Sequence, residues 1–223
     1  KLRKPHPNSN PGIRATRPSD VVLGGFDCGF RWLRFTKWRT LMKLEQITNQ
    51  PFVTTDRFDL RPLRRSDAGL VEFYTKDERM ARMTPAIPHP MPAGATEAMI
   101  SRALSPEREQ DIWAIDGVKS GLSEVLGLLS LDRLSKNQSE LSYWVAPAFW
   151  NKGVASEVTA GLLAANSLQN ETIFAAVFQD NPASARVLTN CGFAYIGDAE
   201  AFCVARNATV ATWTYLKTFQ ING

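Results

Sequence analysis

Between a strand-like run, Leu141 to Val145, and a helix-like run beyond it lies Trp150-Asn151-Lys152-Gly153-Val154-Ala155-Ser156-Glu157. The types and spacing of these residues suit anion binding. The chain leaves the strand through a Pro-bearing bend, crosses one small residue, Gly153, and becomes a helix. Such a junction aims several unpaired backbone N–H groups at one spot, where the positive end of the helix dipole also lies. A diphosphate can be held there without any charged side chain. The segment is neither a Walker loop nor a dinucleotide fingerprint, since it has a single Gly and no G-x-G-x-x-G. A second stretch, Asn181 to Phe193, reads as a short helix with marked ends. Asn181 suits the N-cap, Pro182 the first helical position, and Gly192 the left-handed residue after the last turn.

The two segments resemble the two coenzyme A motifs of the GNAT acetyltransferases, in the family's order and with a helix and a strand between them. In the first, Gln/Arg-x-x-Gly-x-Gly/Ala, the three fixed positions are Trp150, Gly153 and Ala155. The aromatic at the first position looks like the RimJ/RimL-type branch, although Asn151 stands where that branch usually has Gly. The second, Asn-x-x-Ser followed by an apolar residue and then Gly-Phe, is met by Asn181, Ser184, Val187, Gly192 and Phe193. The resemblance covers roughly residues 55–217. It implies transfer of an acetyl group from acetyl-CoA to a primary amine, by direct attack in a ternary complex and without a metal.

That chemistry sets requirements. An amine protonated at neutral pH must lose a proton before it attacks a thioester, and a carboxylate, directly or through water, is the usual base. The oxyanion then needs donors, which backbone N–H groups at a splayed strand can supply. The departing thiolate, whose acid has a pKa near ~8.5, takes a proton from a hydroxyl or water. The resemblance implies Glu140 as the base, since many such sequences have Glu before an apolar-small-Tyr-Trp run, here Leu141-Ser142-Tyr143-Trp144. A plain solvated strand residue is the other reading. Ser184 is the candidate hydroxyl near the sulfur, or simply a first-turn serine. Relatives often carry a Tyr acid four residues before the Gly of Gly-Phe; here that position is Leu188, so that acid is missing. Trp144, Val145, Trp150, Asn151, Lys152, Gly153, Val154, Ala155, Asn181 and Ser184 are the expected cofactor-binding residues. His89 and Tyr143 are the expected acceptor-side ones. The alternative is a coenzyme A-binding protein with weak or no catalysis, for which Asn151 and Leu188 speak.

The elements that must position these residues follow from period and punctuation. Arg57 to Leu63 alternates as a first strand, and Ser66 or Asp67 caps a helix through Leu70, Val71, Phe73 and Tyr74. The four prolines of Met83 to Pro92 make a loop, and Ala95 to Leu104 a second helix. Asp111–Asp116, Val125–Leu131 and Leu141–Val145 read as strands. A helix from Gly153 to Leu168 follows, then a strand, Ile173–Phe178, apolar enough to be buried on both faces. Ala194–Ile196, Phe202–Ala205 and Ala211–Leu216 close the sheet. The expected class is α/β, a mixed sheet with helices on both faces in the order β-α-α-β-β-β-α-β-α-β-β, as in the GNAT fold.

Composition bounds the rest. A chain of 223 residues with 44% hydrophobic content can bury a core, and no apolar run reaches the ~18 residues of a membrane span. Three scattered cysteines, Cys28, Cys191 and Cys203, argue against a disulfide framework or a zinc site, and point to a reducing, cytoplasmic setting. Only His6 and His89 are present, so no histidine cluster can bind a metal. The net charge of +4 divides unevenly: residues 1–41 carry nine Lys/Arg against two Asp, leaving 17 basic and 20 acidic residues for 42–223. The leader, 1–41, can be read as a nucleic-acid or membrane-binding arm, a transit peptide, or an upstream extension before Met42. The last reading is adopted, with 42–223 as a single domain. The expected partner is an amine acceptor, a protein N-terminus or a small molecule, with no nucleic acid or membrane. The expected assembly is a monomer or homodimer.

Overall fold

Strand β3 (Gln110–Asp116) shows how the sequence builds two cores from one sheet. Successive side chains of a strand point to opposite faces. Trp113 and Ile115 accordingly enter one buried cluster while Ile112 and Ala114 enter another. In the computed structural model, which describes residues 50–220, eight strands form one sheet in the order β1-β2-β3-β4-β5-β6-β8-β7. The remaining strands are β1 (Val53–Thr54), β2 (Asp59–Pro62), β4 (Gly127–Ser135), β5 (Gln138–Val145), β6 (Thr172–Phe178), β7 (Ala194–Cys203) and β8 (Ala208–Thr218). Every neighbouring pair is antiparallel except β5 and β6. The leader, 1–41, with His6 and Cys28, lies outside the described residues.

Five helices cover the two faces: α1 (Ala68–Thr75), α2 (Glu78–Ala81), α3 (Ala95–Ala103), α4 (Val154–Ala165) and α5 (Pro182–Asn190). Val154, Val158 and Leu162 of α4, with Ala185 and Leu188 of α5, pack on Leu129, Leu141 and Ile173 of the sheet. On the other face Val71 of α1 and Ile100 of α3 pack on Ile112 and Leu128. This is the mixed α/β GNAT architecture that the motif order implies, with β1 and α2 added.

Several local expectations change. Asp67 does not cap α1. Its carboxylate accepts from both terminal nitrogens of Arg61 at 2.9 Å and from the Arg64 N–H at 2.7 Å. Arg61 is therefore buried on β2, on the side opposite Leu60, where alternation alone would leave a solvated residue. Helix α4 stops at Asn166, which is left-handed (φ 33°), three residues short of the expected end. Strand β6 is not buried on both faces throughout: Ala176 is exposed, because no helix covers the sheet there as tightly as α4 and α5 cover Ile173, Ala175 and Val177. The three short closing strands are instead one long hairpin, β7–β8, whose Gly197-Asp198-Ala199-Glu200 stretch is held in strand geometry by pairing with β8 rather than by its own propensity.

Candidate active site

Strands β5 and β6 pair side by side only from Gln138–Thr172 to Glu140–Phe174. Beyond that register both continue, β5 to Val145 and β6 to Phe178, but they part. Into the gap come the head of α4, the first turns of α5, and the segment around α2. Together they line a cleft of about 420 Å³, within the range of about 300–1,000 Å³ usual for ligand pockets.

The head of α4 owes its shape to two left-handed residues, Asn151 (φ 59°) and Gly153 (φ 77°), on either side of Lys152. Asn is among the few side chains that accept this region readily. Asn151 thus meets the backbone demand of the loop with little strain. At Gly153 a Cβ would lie 3.1 Å from a terminal nitrogen of Arg57. Arg57 braces the loop from β2's side of the sheet: its Nη1 donates to the Lys152 carbonyl at 3.1 Å, and its Nε to Glu157 at 2.7 Å. The Thr55 hydroxyl adds a 2.8 Å bond to the same carboxylate. Burial opposes ionisation of Glu157, but the Arg57 and Thr55 hydrogen bonds outweigh it and hold the carboxyl below the usual range. No motif flags Arg57, because its partner lies 100 residues away.

The opposite wall is α5. The Asn181 side chain accepts from the Ser184 N–H at 3.2 Å and caps the helix as expected. Gly192 is left-handed at φ 80°. The Ser184 carbonyl receives the Tyr143 hydroxyl at 3.1 Å, which ties β5 to α5 across the cleft floor. Burial pushes the Tyr143 phenol up, so it stays a hydrogen-bond donor at neutral pH. Proton transfer from it to a thiolate of acid pKa about 8.5 runs uphill. Leu188 is fully buried in the core and brings nothing into the cleft.

The cleft brings together Tyr143, Trp144, Val145, Trp150, Asn151, Gly153, Val154, Ala155, Asn181 and Ser184. It does not include Lys152, His89 or Glu140. The Lys152 ammonium sits over the Phe149 ring, 5.5 Å from its centre. His89 is exposed in the α2–α3 loop. Glu140 occupies the last paired position before β5 and β6 separate, opposite Asp132 of β4 and Phe174 of β6. It shares a face with Trp144, whose ring packs on the α1/α3 side. Burial, then the neighbouring Asp132 charge, raises the Glu140 carboxyl. Burial raises Asp132 too, against a 3.0 Å hydrogen bond from Gln110. Met80, Met83 and Thr84 form a third wall that sequence periodicity does not reveal. Arg206, from the β7–β8 turn, fastens that wall by donating to the Arg82 carbonyl at 2.7 Å and pairing with Asp180 at 2.6 Å.

A test of the loop follows. Gly153→Val places a branched side chain at φ 77°, a region costing an L-residue roughly 1–2 kcal/mol, and drives a Cβ against the Arg57 guanidinium that braces the loop. Calorimetry is expected to show coenzyme A affinity at least about tenfold weaker, with a lowered melting temperature. The loss of stability follows from the left-handed φ of Gly153. Unchanged affinity would remove the loop from the binding site.

Among the described residues no helix is long and apolar enough to cross a membrane, and no group of three or more His, Cys, Asp or Glu could hold a metal ion. Residues 57–194 match the Acetyltransferase (GNAT) domain family. An uncharacterized N-acetyltransferase, YoaA of Bacillus subtilis, is 27% identical over 148 residues, covering 64% of this chain and 82% of that protein. Among solved structures, RimL, a ribosomal alpha-N-protein acetyltransferase in complex with coenzyme A, is similar with a TM-score of 0.64 or better, at 0.66, and 15% identity over 76% of this chain and 98% of its own. RimJ of Mycobacterium smegmatis, in complex with a CoA-disulfide, gives 0.64 and 21% identity over 75% of this chain and 87% of that one. With the parted strands, the left-handed loop and the capped α5 in place, the family match over most of the described residues makes the chain a member of the GNAT family of acetyltransferases, which move an acetyl group from acetyl-CoA to an amine.

Proposed function

We propose that this acetyltransferase works by direct attack of a primary amine on acetyl-CoA in a ternary complex, in the manner of the RimJ/RimL branch. The parting of β5 and β6 beside the head of α4 carries this reading. The N–H groups of residues 151–155 hold the diphosphate, and the open edge of β5 at Leu141–Val145 lies along the pantetheine arm. Trp144, Val145 and Trp150 form the walls, and Asn181 orients the arm from the cap of α5. The residues present fit the group: among the described residues the cleft lining holds no carboxylate to repel a diphosphate.

Glu140 receives the amine proton through a water, since its carboxyl stands beside the cleft and not in it. Its raised pKa suits the role, because a base closer to neutrality is better matched to an ammonium donor. N–H groups on the unpaired edge of β5 face the thioester carbonyl and stabilise charge developing on its oxygen. The Ser184 hydroxyl is the donor toward the departing sulfur, and the buried Tyr143 holds the backbone of Ser184 in place. The acceptor, a protein N-terminus or a small amine, approaches past the Met80–Met83–Thr84 wall, near His89. The protein acts in the cytoplasm as a monomer or homodimer, and residues 42–223 carry the chemistry.

The experiment is turnover of acetyl-CoA, followed by free thiol, with a panel of N-terminal peptides and small amines. Thiol release that depends on one acceptor class supports the reading. Tight coenzyme A binding without turnover on any acceptor would favour a binding protein.

A further inference from the structure

Among the described residues that line the cleft, only Arg186 has a charged side chain. Arg186 lies in the middle of α5 on the stripe Ala183, Arg186, Val187 and Asn190, a spacing that puts all four on one helix face. The side chain is exposed, and its guanidinium has no partner among the described residues. The other arginines near the cleft are engaged: Arg57 with Glu157, Arg79 with Asp77, and Arg206 with Asp180. A free guanidinium facing a cleft without a carboxylate in its lining is set up for an anion.

The position decides which anion. Near its N-terminal end α5 is tied to β5 by the bond from the Tyr143 hydroxyl to the Ser184 carbonyl. Arg186 lies further along the helix, toward its C-terminal end, where Asn190 also lines the cleft. The backbone N–H groups at the head of α4 already provide for a diphosphate. Coenzyme A carries one further phosphate, the terminal monoester on the ribose 3′-oxygen, farthest along the molecule from the thiol. Such a group has about −1.5 to −2 charges at pH 7 and matches the planar fork of an arginine. Resting on the coenzyme A reading above, we propose that Arg186 receives this 3′-phosphate and is the residue by which the protein tells coenzyme A from its 3′-dephospho form.

Equilibrium binding of coenzyme A and 3′-dephospho-coenzyme A to the wild type, Arg186→Ala and Arg186→Lys tests this without any acceptor. The wild type is expected to prefer coenzyme A by about 10–100-fold, as for a charge-assisted contact. Arg186→Ala should lose that preference by weakening coenzyme A alone, with 3′-dephospho-coenzyme A affinity within about twofold of wild type and an unchanged melting temperature. Arg186→Lys should keep part of the preference, since the charge remains but the fork is lost. A preference retained in Arg186→Ala, or an equal loss for both ligands, overturns the assignment and leaves the coenzyme A reading intact. A wild type that binds neither ligand overturns that reading, and the assignment with it.

Discussion

Replacing Glu140 by Gln is expected to lower kcat by about 10²–10⁴-fold while leaving coenzyme A affinity nearly unchanged. Gln keeps the shape and much of the hydrogen bonding at the end of the β5–β6 ladder but cannot accept a proton. A companion variant sharpens the test. The Asp132 charge helps to raise the Glu140 carboxyl, so Asp132→Asn should move the low-pH limb of the rate profile to lower pH. Stability should respond in the opposite sense to activity. A carboxyl whose folded pKa is raised binds protons more tightly in the folded state than in the unfolded one. Its ionisation therefore costs stability as pH rises from the unfolded value, about 4.3, through the raised folded one. Glu140→Gln should thus melt higher than wild type at neutral pH, and the gain should vanish in acid. Near-normal turnover at neutral pH would show that the amine loses its proton elsewhere.

Asp67→Ala is expected to destabilise the fold by about 3–5 kcal/mol, the usual result of removing one partner from a buried ion pair. Arg61 and Asp67 are almost wholly inaccessible, at 2% and 0%. Arg61 also holds Asp116 at 2.7 Å and the Glu124 carbonyl at 2.9 Å. Loss of Asp67 leaves two guanidinium donors and the Arg64 N–H without an acceptor. For a domain of this size, about 2–4 °C accompanies each kcal/mol, so thermal unfolding should show a drop of roughly 6–20 °C. A shift of a degree or two would mean that water enters and satisfies Arg61.

Both variants concern residues whose role the sequence disclosed unequally. The segments around Gly153 and Asn181 were legible because each fixes its own backbone: a left-handed glycine, a cap with Pro behind it, and a second left-handed glycine at 192. Strand β3 was legible because alternation survives even where both faces are buried. Asp67 was not. Its place before the apolar run reads as a cap, and only Arg61, brought round by β2, makes a better offer to its carboxylate. The β7–β8 hairpin was read as fragments, since Gly197 and Ala199 carry little strand preference and pairing decides their state. The Met80–Thr84 wall is not visible in the sequence because the one-turn helix α2 and the loop after it are too short to show a period. Its shape comes from Arg206 and from the Val204 N–H, which donates to the Pro85 carbonyl at 3.0 Å. For Glu140 the sequence offered a carboxylate on a strand, but its facing depends on Trp144 packing toward α1 and α3.

The sheet has eight strands, yet its fifth has a boundary on one side. Past Glu140, β5 keeps its ladder with β4 but has none with β6, and of its last carbonyls Val145 is taken up by the Trp150 indole. A sheet edge ordinarily lies at the periphery, where it is open to solvent and to stray strands. Here it is internal and guarded by two helices. The outward-turned amides of Leu141 to Val145 should therefore exchange their hydrogens quickly in the free protein, like those of a peripheral strand, while the β4-facing amides exchange slowly. A ligand arm bearing amides of its own takes the place of a ninth strand. Saturation with coenzyme A should then slow exchange along this one stretch, a change that hydrogen–deuterium measurements would locate to five residues of the chain.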